Sequence, residues 1–320
     1  MGRLTVLALA AIAALPCSAE ADSLYTGRAP RPGPDLLYEG RPVTPQLTNR
    51  KPWRAKPILV SGATAYRKGE FLYQDYLYDD TGGHFAFDPG DPRTAGNLFS
   101  KPNGTYTYPT AEDYANNAAD LVELRVKPLR HRRATAFRVT LNTLKDPSLV
   151  AFTIALGGQE GKLQDFPFGA NVRAPAEFFL TVHPDGDSMV GELTDAAGGD
   201  TSGKFPARVD MNRRQIQVRV PRRAWNPRRH AVRMAAGVGL WDADAGEYLL
   251  PGPSASASGP GGATSAAPAA FFNVAFRDDE PFPSPTDSTD TVLNAAWWRD
   301  RQQAAALAAG DISKFFAKVR

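Results

Sequence analysis

The chain is poor in the residues that carry covalent chemistry. It has one cysteine, Cys17, and four histidines in 320 residues. One thiol closes no internal disulfide, so a redox centre or a disulfide scaffold is not an available reading. No G-x-S-x-G elbow, H-E-x-x-H zinc motif, phosphate-binding P-loop or dinucleotide fingerprint occurs. The histidines are scattered. His131 and His230 lie among arginines, His183 falls at an expected turn, and only His84 has acidic neighbours. A hydrolase built on a nucleophile and a base finds no support in this pattern. Long apolar runs are missing too. The run at 4–15, LTVLALAAIAAL, is too short to span a hydrocarbon layer of roughly 30 Å as a helix. The net charge is only +3, which does not suit a nucleic-acid binder.

What the chain does have is glycine and proline, 28 and 27 residues. Turns and strands are expected rather than long helices. The N-terminus has the form of a secretory signal over 1–21. Arg3 precedes the apolar run, and Ala19–Ala21 suits cleavage before Asp22. Lipidation at Cys17 is the alternative, disfavoured by Pro16 before it. Cleavage after Ala21 would leave a secreted chain with no cysteine and no transmembrane anchor. Residues 22–56, rich in Pro, Arg and Gly, read as an extended lead-in with little packing of its own.

From residue 57 to 280 the pattern is that of strands. Val122, Leu124 and Val126 alternate with Glu123, Arg125 and Lys127, which should face outward. Phe137, Val139 and Leu141 repeat the pattern. So do Val150, Phe152, Ile154 and Leu156, and Ile216, Val218 and Val220. AEFFLTV and SMVGELTD flank a turn containing Asp185-Gly186. Successive strands with turn signals and no alternating helices predict an all-β, antiparallel β-sandwich. Residues 251–270 are low in complexity and uncharged, and read as a flexible loop within the sandwich. Residues 281–320 read as a linker and helix, capped by Asp290 and ended by Gly310. The helix and the fragment after it suggest continuation into a further domain.

The stretch YQDYLYDDTGGHFAF (73–87) is the densest in polar chemistry. Asp79 and Asp80 supply adjacent carboxylates and Thr81 a hydroxyl, with two glycines to let carbonyls turn inward. Ca²⁺ takes six to eight hard oxygen ligands, so such a turn is a candidate site if a second segment contributes. NNAAD, with Asn116, Asn117 and Asp120, is that segment. An Asx-type turn with solvated aspartates is the plain alternative. A two-carboxylate glycosidase drawn from Asp75, Asp79, Asp80, Asp120 and Glu123 is the weakest reading, since carboxylate pairs are common on any surface. Tyr78, Tyr106 and Tyr108 lie near the acidic turn in sequence. They are candidates for stacking on sugars if exposed, and for core packing if not. Residues 213–233 hold eight arginines, a basic face or edge that would attract anionic envelope polymers or lipid headgroups.

The string YDDTGG (78–83), GTYTYPT (104–110), AADLVELRV (118–126) and ATAFRVTLNTL (134–144) resembles the C-terminal binding module of glucodextranase. That module is a DOMON-like sandwich related to family-9 carbohydrate-binding modules. The resemblance covers roughly residues 57–280. It implies a non-catalytic module that attaches to polysaccharide or the cell envelope. It also implies Asp79, Asp80 and Asp120 as Ca²⁺ ligands, with Asp75 as a weaker one. The chain departs from the pattern by inserting residues 84–103, which puts the family's ligand site in doubt. The architecture is also similar to the region preceding the α/β-hydrolase domain in secreted actinobacterial proteins. The alternative function is therefore an accessory domain whose catalytic partner lies outside this chain.

Overall fold

The computed structural model describes residues 49–58, 62–76, 79–82, 104–115, 117–198, 201–228, 230–276 and 302–320. The expected signal at 1–21, Tyr78, His84, the insertion, Asn116, Asp290 and most of the lead-in lie outside them. The fold is all-β and antiparallel, with a large curled sheet and one helix among the described residues, at 302–309.

The first half of the sheet begins with β1 (Thr64–Arg67) and β2 (Glu70–Gln74), joined by Lys68-Gly69, both at positive φ. That two-residue turn matches the twist of a hairpin. Next come β3 (Leu121–Leu129) and β4 (Ala134–Leu141). The second half is built from β5 (Val150–Leu156), β8 (Phe178–Asp185), β9 (Ser188–Asp195) and β12 (Val232–Asp242). A small ribbon of β6 (Leu163–Asp165) and β7 (Arg173–Pro175) lies outside the main sheet. β10 (Thr201–Asp210) and β11 (Gln215–Pro221) connect the halves. The order is β1-β2-β3-β4-β11-β10-β9-β8-β5-β12, continued by β13 (Glu247–Tyr248). β10 belongs to both halves. Ala207–Asp210 pairs with β11, and Thr201–Pro206 with β9. β14 (Phe271–Val274) and β15 (Ala317–Val319) also pair with β12.

The alternating apolar residues fill the space between the halves. Leu124, Val126, Phe137, Val139, Ile216 and Val218 meet Phe152, Ile154, Leu180, Val182 and Val238 there. Each large side chain so buried contributes roughly 1.5–3 kcal/mol. Trp225 and Trp241 are both buried. At the start of β3 the register shifts between Leu121 and Glu123, so Leu121 rather than Val122 joins this core. Strict alternation misplaced Val122 because a bulge puts two residues opposite one.

Three other expectations are corrected. Residues 251–270 are pinned, not loose. Thr107 and Gly261 exchange backbone hydrogen bonds, and the amides of Thr110 and Ala111 donate to the carbonyls of Ser256 and Ala257. Low complexity here serves close approach. A Cβ on Gly262, at φ +88°, would lie 1.7 Å from the Thr105 carbonyl oxygen. The end of the lead-in also packs, with Trp53 and Ala55 buried. Finally, residues 302–320 are part of the sandwich. Leu307, Ile312 and Phe315 cover the outer face of the second half with Phe179 and Phe271. The helix does end at Gly310, at φ +62°. The Gly310 and Asp311 amides donate to the Leu307 and Ala306 carbonyls, the double closure that a left-handed glycine permits.

Candidate functional site

The acidic turn sits where β2, β3, β4 and β14 end, and its aspartates are not solvated. Asp75, Asp79, Asp80 and Asp120 all have zero exposure. Each is held by named donors. Asp75 Oδ1 accepts from the Tyr73 hydroxyl (2.7 Å) and the Tyr76 amide (2.9 Å). Asp79 Oδ1 accepts from Asn273 Nδ2 (2.7 Å), and its carbonyl from Gln303 Nε2 (2.6 Å). Asp80 Oδ2 accepts from the Tyr108 hydroxyl (2.5 Å), which in turn accepts from the Ala119 amide (3.1 Å). Asp120 Oδ2 accepts from Asn142 Nδ2 (2.8 Å). Thr81 donates its amide to the Phe272 carbonyl (2.7 Å). Gly82 lets the turn lie close, since a Cβ there would come within 2.7 Å of the Phe272 ring.

Within the turn Asp80 is the strained charge. Burial pushes the Asp80 carboxyl up to about 8; the Tyr108 hydroxyl opposes the rise and the Asp79 charge adds to it. Among the described residues no cationic side chain figures in these influences. Asp80 Oδ1, Thr81 Oγ1, Asn142 Oδ1 and Asn273 Oδ1 are buried without a hydrogen-bond partner. All four are oxygens, which is the donor chemistry of a hard cation. Among the described residues no three acidic, histidine or cysteine side chains group at metal-holding spacing. An ion here would therefore draw on carboxylates mixed with neutral oxygens. Asp79 and Asp80 are adjacent, and Asp120 lies within electrostatic reach of Tyr108. Asp75 is directed to Tyr73 and Tyr76.

Of the three candidate tyrosines the structure describes Tyr106 and Tyr108, and Tyr108 takes the core-packing alternative. Tyr108 is 6% exposed, with its ring 4.7 Å from that of Phe272. Tyr106 is half-buried, packs edge-on to Phe272 and donates to the Ala269 carbonyl (2.9 Å). Tyr78 is outside the described residues. Asn273, Asn142 and Gln303 were missed by sequence reasoning. Asn273 left a signal, a lone amide within the apolar run AAFFNVAF. His183 is also corrected. It lies in β8 rather than at the turn, stacked on Trp241 at 4.7 Å, with its Nε2 3.6 Å from Glu192.

A second polar cluster was not foreseen. Glu70, Glu123, Arg125 and Arg138, expected to face solvent where the pattern addressed them, are 0–1% exposed beneath residues 49–58. Arg125 grips Glu123 through two bonds of 2.7 Å and reaches Glu70 at 3.1 Å. Arg138 meets Glu123 at 2.6 Å, and Lys127 meets Glu70 at 2.8 Å. Trp53 lies over the Arg138 guanidinium, 5.0 Å from ring centroid to Cζ, and donates Nε1 to Gln217 Oε1 (2.6 Å). Burial alone would raise the Glu123 carboxyl, but Arg125 and Arg138 outweigh it and hold it below the ordinary range. Burial lowers Arg138 to about 10, with Glu123 resisting.

Comparison with known protein families and with curated proteins finds no match. Among the described residues no helix is long and apolar enough to cross a membrane.

Proposed function

We propose that the chain is a secreted, non-catalytic β-sandwich module that binds carbohydrate or the cell envelope and carries a structural Ca²⁺ at the aspartate turn. The observation that carries the metal reading is Asp80, a fully buried carboxylate with one oxygen unpartnered and, among the described residues, no cationic side chain acting on it. Asp79 and Asp80 would hold the ion. The Thr81 and Asn273 oxygens would serve as neutral donors, and Asp120, which does not group with them at metal-holding spacing, would stay outside the ligand set. Bound there, Ca²⁺ would offset the repulsion between the Asp79 and Asp80 charges. The chain's own residues do the rest. Asn273, Gln303 and Tyr108 aim the carboxylates, and the Thr81 amide ties the turn to β14. Full burial keeps Asp80 from acting as a surface acid or base.

The binding role is supported by the resemblance of YDDTGG, GTYTYPT and the following strands to a carbohydrate-associated module. It is further supported by the open, polar-lined clefts of the sandwich. Thermal melting with Ca²⁺ or with chelator tests the metal. A higher midpoint with Ca²⁺ that Asp80→Asn abolishes is expected, and an unchanged midpoint overturns it. Retention on a panel of immobilised polysaccharides tests the binding role, and retention on none overturns it.

A further inference from the structure

The outer face of the first half-sheet is laid out in rows by its register. Arg125, Arg138, Gln217 and Arg208 follow one another across β3, β4, β11 and β10. Lys127, Ala136 and Arg219 form the next row. Glu70 and Glu123 neutralise the β3–β4 end of these rows, under the 49–58 segment. Among the described residues nothing equivalent serves the β10–β11 end. Arg208 is exposed there and Arg219 half-buried, and neither has a carboxylate partner.

Trp53 marks the boundary between the two ends. Beyond it opens a cleft of about 420 Å³, lined by Arg50, Lys51, Arg138, Arg208 and Arg219 against a single carboxylate, Asp210. Asp210 is already engaged by Arg213 at 3.1 Å, with Arg50 at 3.7 Å. The Nε atoms of Arg138 and Arg219 are buried donors with no partner. Arg138 as a residue is only 1% exposed. Burial, together with the like charges of Arg132 and Arg208, holds Arg219 below the ordinary arginine range. Guanidinium groups gathered in this way are relieved by an oxyanion, whose paired oxygens match the guanidinium fork. An open cleft, unlike a closed cavity, admits one stretch of a continuous polymer.

We propose that this cleft binds a polyanionic glycan, one whose sugars bear carboxylate, phosphate or sulfate groups, with Arg208 and Arg219 contacting the oxyanions. It rests on the carbohydrate- or envelope-binding reading and narrows it to a ligand class and a face. The test is affinity electrophoresis of the full chain through gels containing polygalacturonate, phosphomannan, dextran sulfate or unsubstituted dextran. Retardation by at least one charged polymer and not by dextran is expected, falling as salt rises. Arg208→Gln with Arg219→Gln should weaken it about tenfold, the scale of a lost charge-assisted contact. The melting midpoint should stay level or rise, and Arg208→Gln alone, at an exposed site, should show a partial loss. Arg222→Gln with Arg223→Gln makes the same charge change outside the cleft and should leave retardation intact. Equal weakening by both pairs would overturn the proposal, because net charge would then be the cause. Retention by dextran alone would overturn it while leaving carbohydrate binding standing. Binding to anionic phospholipid vesicles with no glycan retained would overturn both.

Discussion

Two clusters of buried carboxylates among the described residues are satisfied in different ways. Beneath residues 49–58, Glu70 and Glu123 are matched by Arg125, Arg138 and Lys127 at 2.6–3.1 Å. At the aspartate turn, Asp80 meets the Tyr108 hydroxyl and Asp79 the Asn273 amide, and Asp80 Oδ1 is left without a hydrogen-bond partner. The first cluster is closed within the protein. In the second, Asp80 is held with a raised carboxyl and no cationic side chain acting on it among the described residues, so a proton or a cation would relieve it. Burying a carboxylate is tolerable in either case, but only the first arrangement is indifferent to what the solvent supplies.

The largest effect should come from breaking the closed cluster. Glu123→Gln leaves two buried guanidiniums without their shared carboxylate and should cost about 3–5 kcal/mol, read from urea unfolding midpoints. The same residue gives a pH signature. Its carboxyl is held below the ordinary range, so its stabilisation is fully present above an ordinary pKa of about 4.3. It is lost as pH falls through the lowered value. Wild type should lose stability in that acid window, and Glu123→Gln should not lose this component.

Next in size is the open cluster. Ca²⁺ at a hundredfold excess over Kd should add about 2.7 kcal/mol, seen as a raised melting midpoint. In chelator the sign differs from that at Glu123. Asp80 is raised to about 8, so its penalty is absent below an ordinary pKa of about 3.9 and grows as pH rises towards 8. Chelated Asp80→Asn should therefore match wild type at low pH and exceed it near pH 8. A smaller loss, about 1–3 kcal/mol, is expected for Tyr108→Phe, which strips a partner from both Asp80 and the Ala119 amide. Added Ca²⁺ should shrink that loss, and equal losses with and without the ion would remove the distinction between the clusters. Asp185→Asn should matter least. Its pair with Lys204 spans 3.4 Å with both side chains about half exposed, and about 0–1 kcal/mol is expected by the same unfolding measurement.

Alternation read the inter-sheet core well because burial on one face writes a period of two into the chain. Phe137, Val139, Ile216 and Val218 are where that period puts them. It failed for Glu123 and Arg125 because polarity marks a face as different, not as wet. Nothing local foretells that Trp53, some seventy residues earlier, will roof that face. β10 escaped notice because Gly203 and Pro206 interrupt its pattern, although the strand joins the two half-sheets. At the aspartate turn, Asp79, Asp80 and Asp120 were legible as a polar group. Their burial was not, since it depends on Phe272, Asn273 and Gln303 arriving from nearly two hundred residues or more away along the chain.

β12 bears on how the molecule is made. One edge pairs with β5 from Met234 to Leu240, while the other receives β14 at Gly237–Gly239 and β15 at Val232–Met234. Synthesis runs from N- to C-terminus, so the Val232–Met234 end of that second edge stays open until residues 317–319 have been made. The Tyr66 hydroxyl, bonded to the Lys318 carbonyl at 3.0 Å and to the Arg320 amide at 2.9 Å, must wait as long. During elongation the chain thus carries an unpaired strand edge, the kind of surface that other chains can join. The last described residues act as a clasp, and truncating them should appear first as aggregation during expression rather than as a lower melting point in the protein that survives.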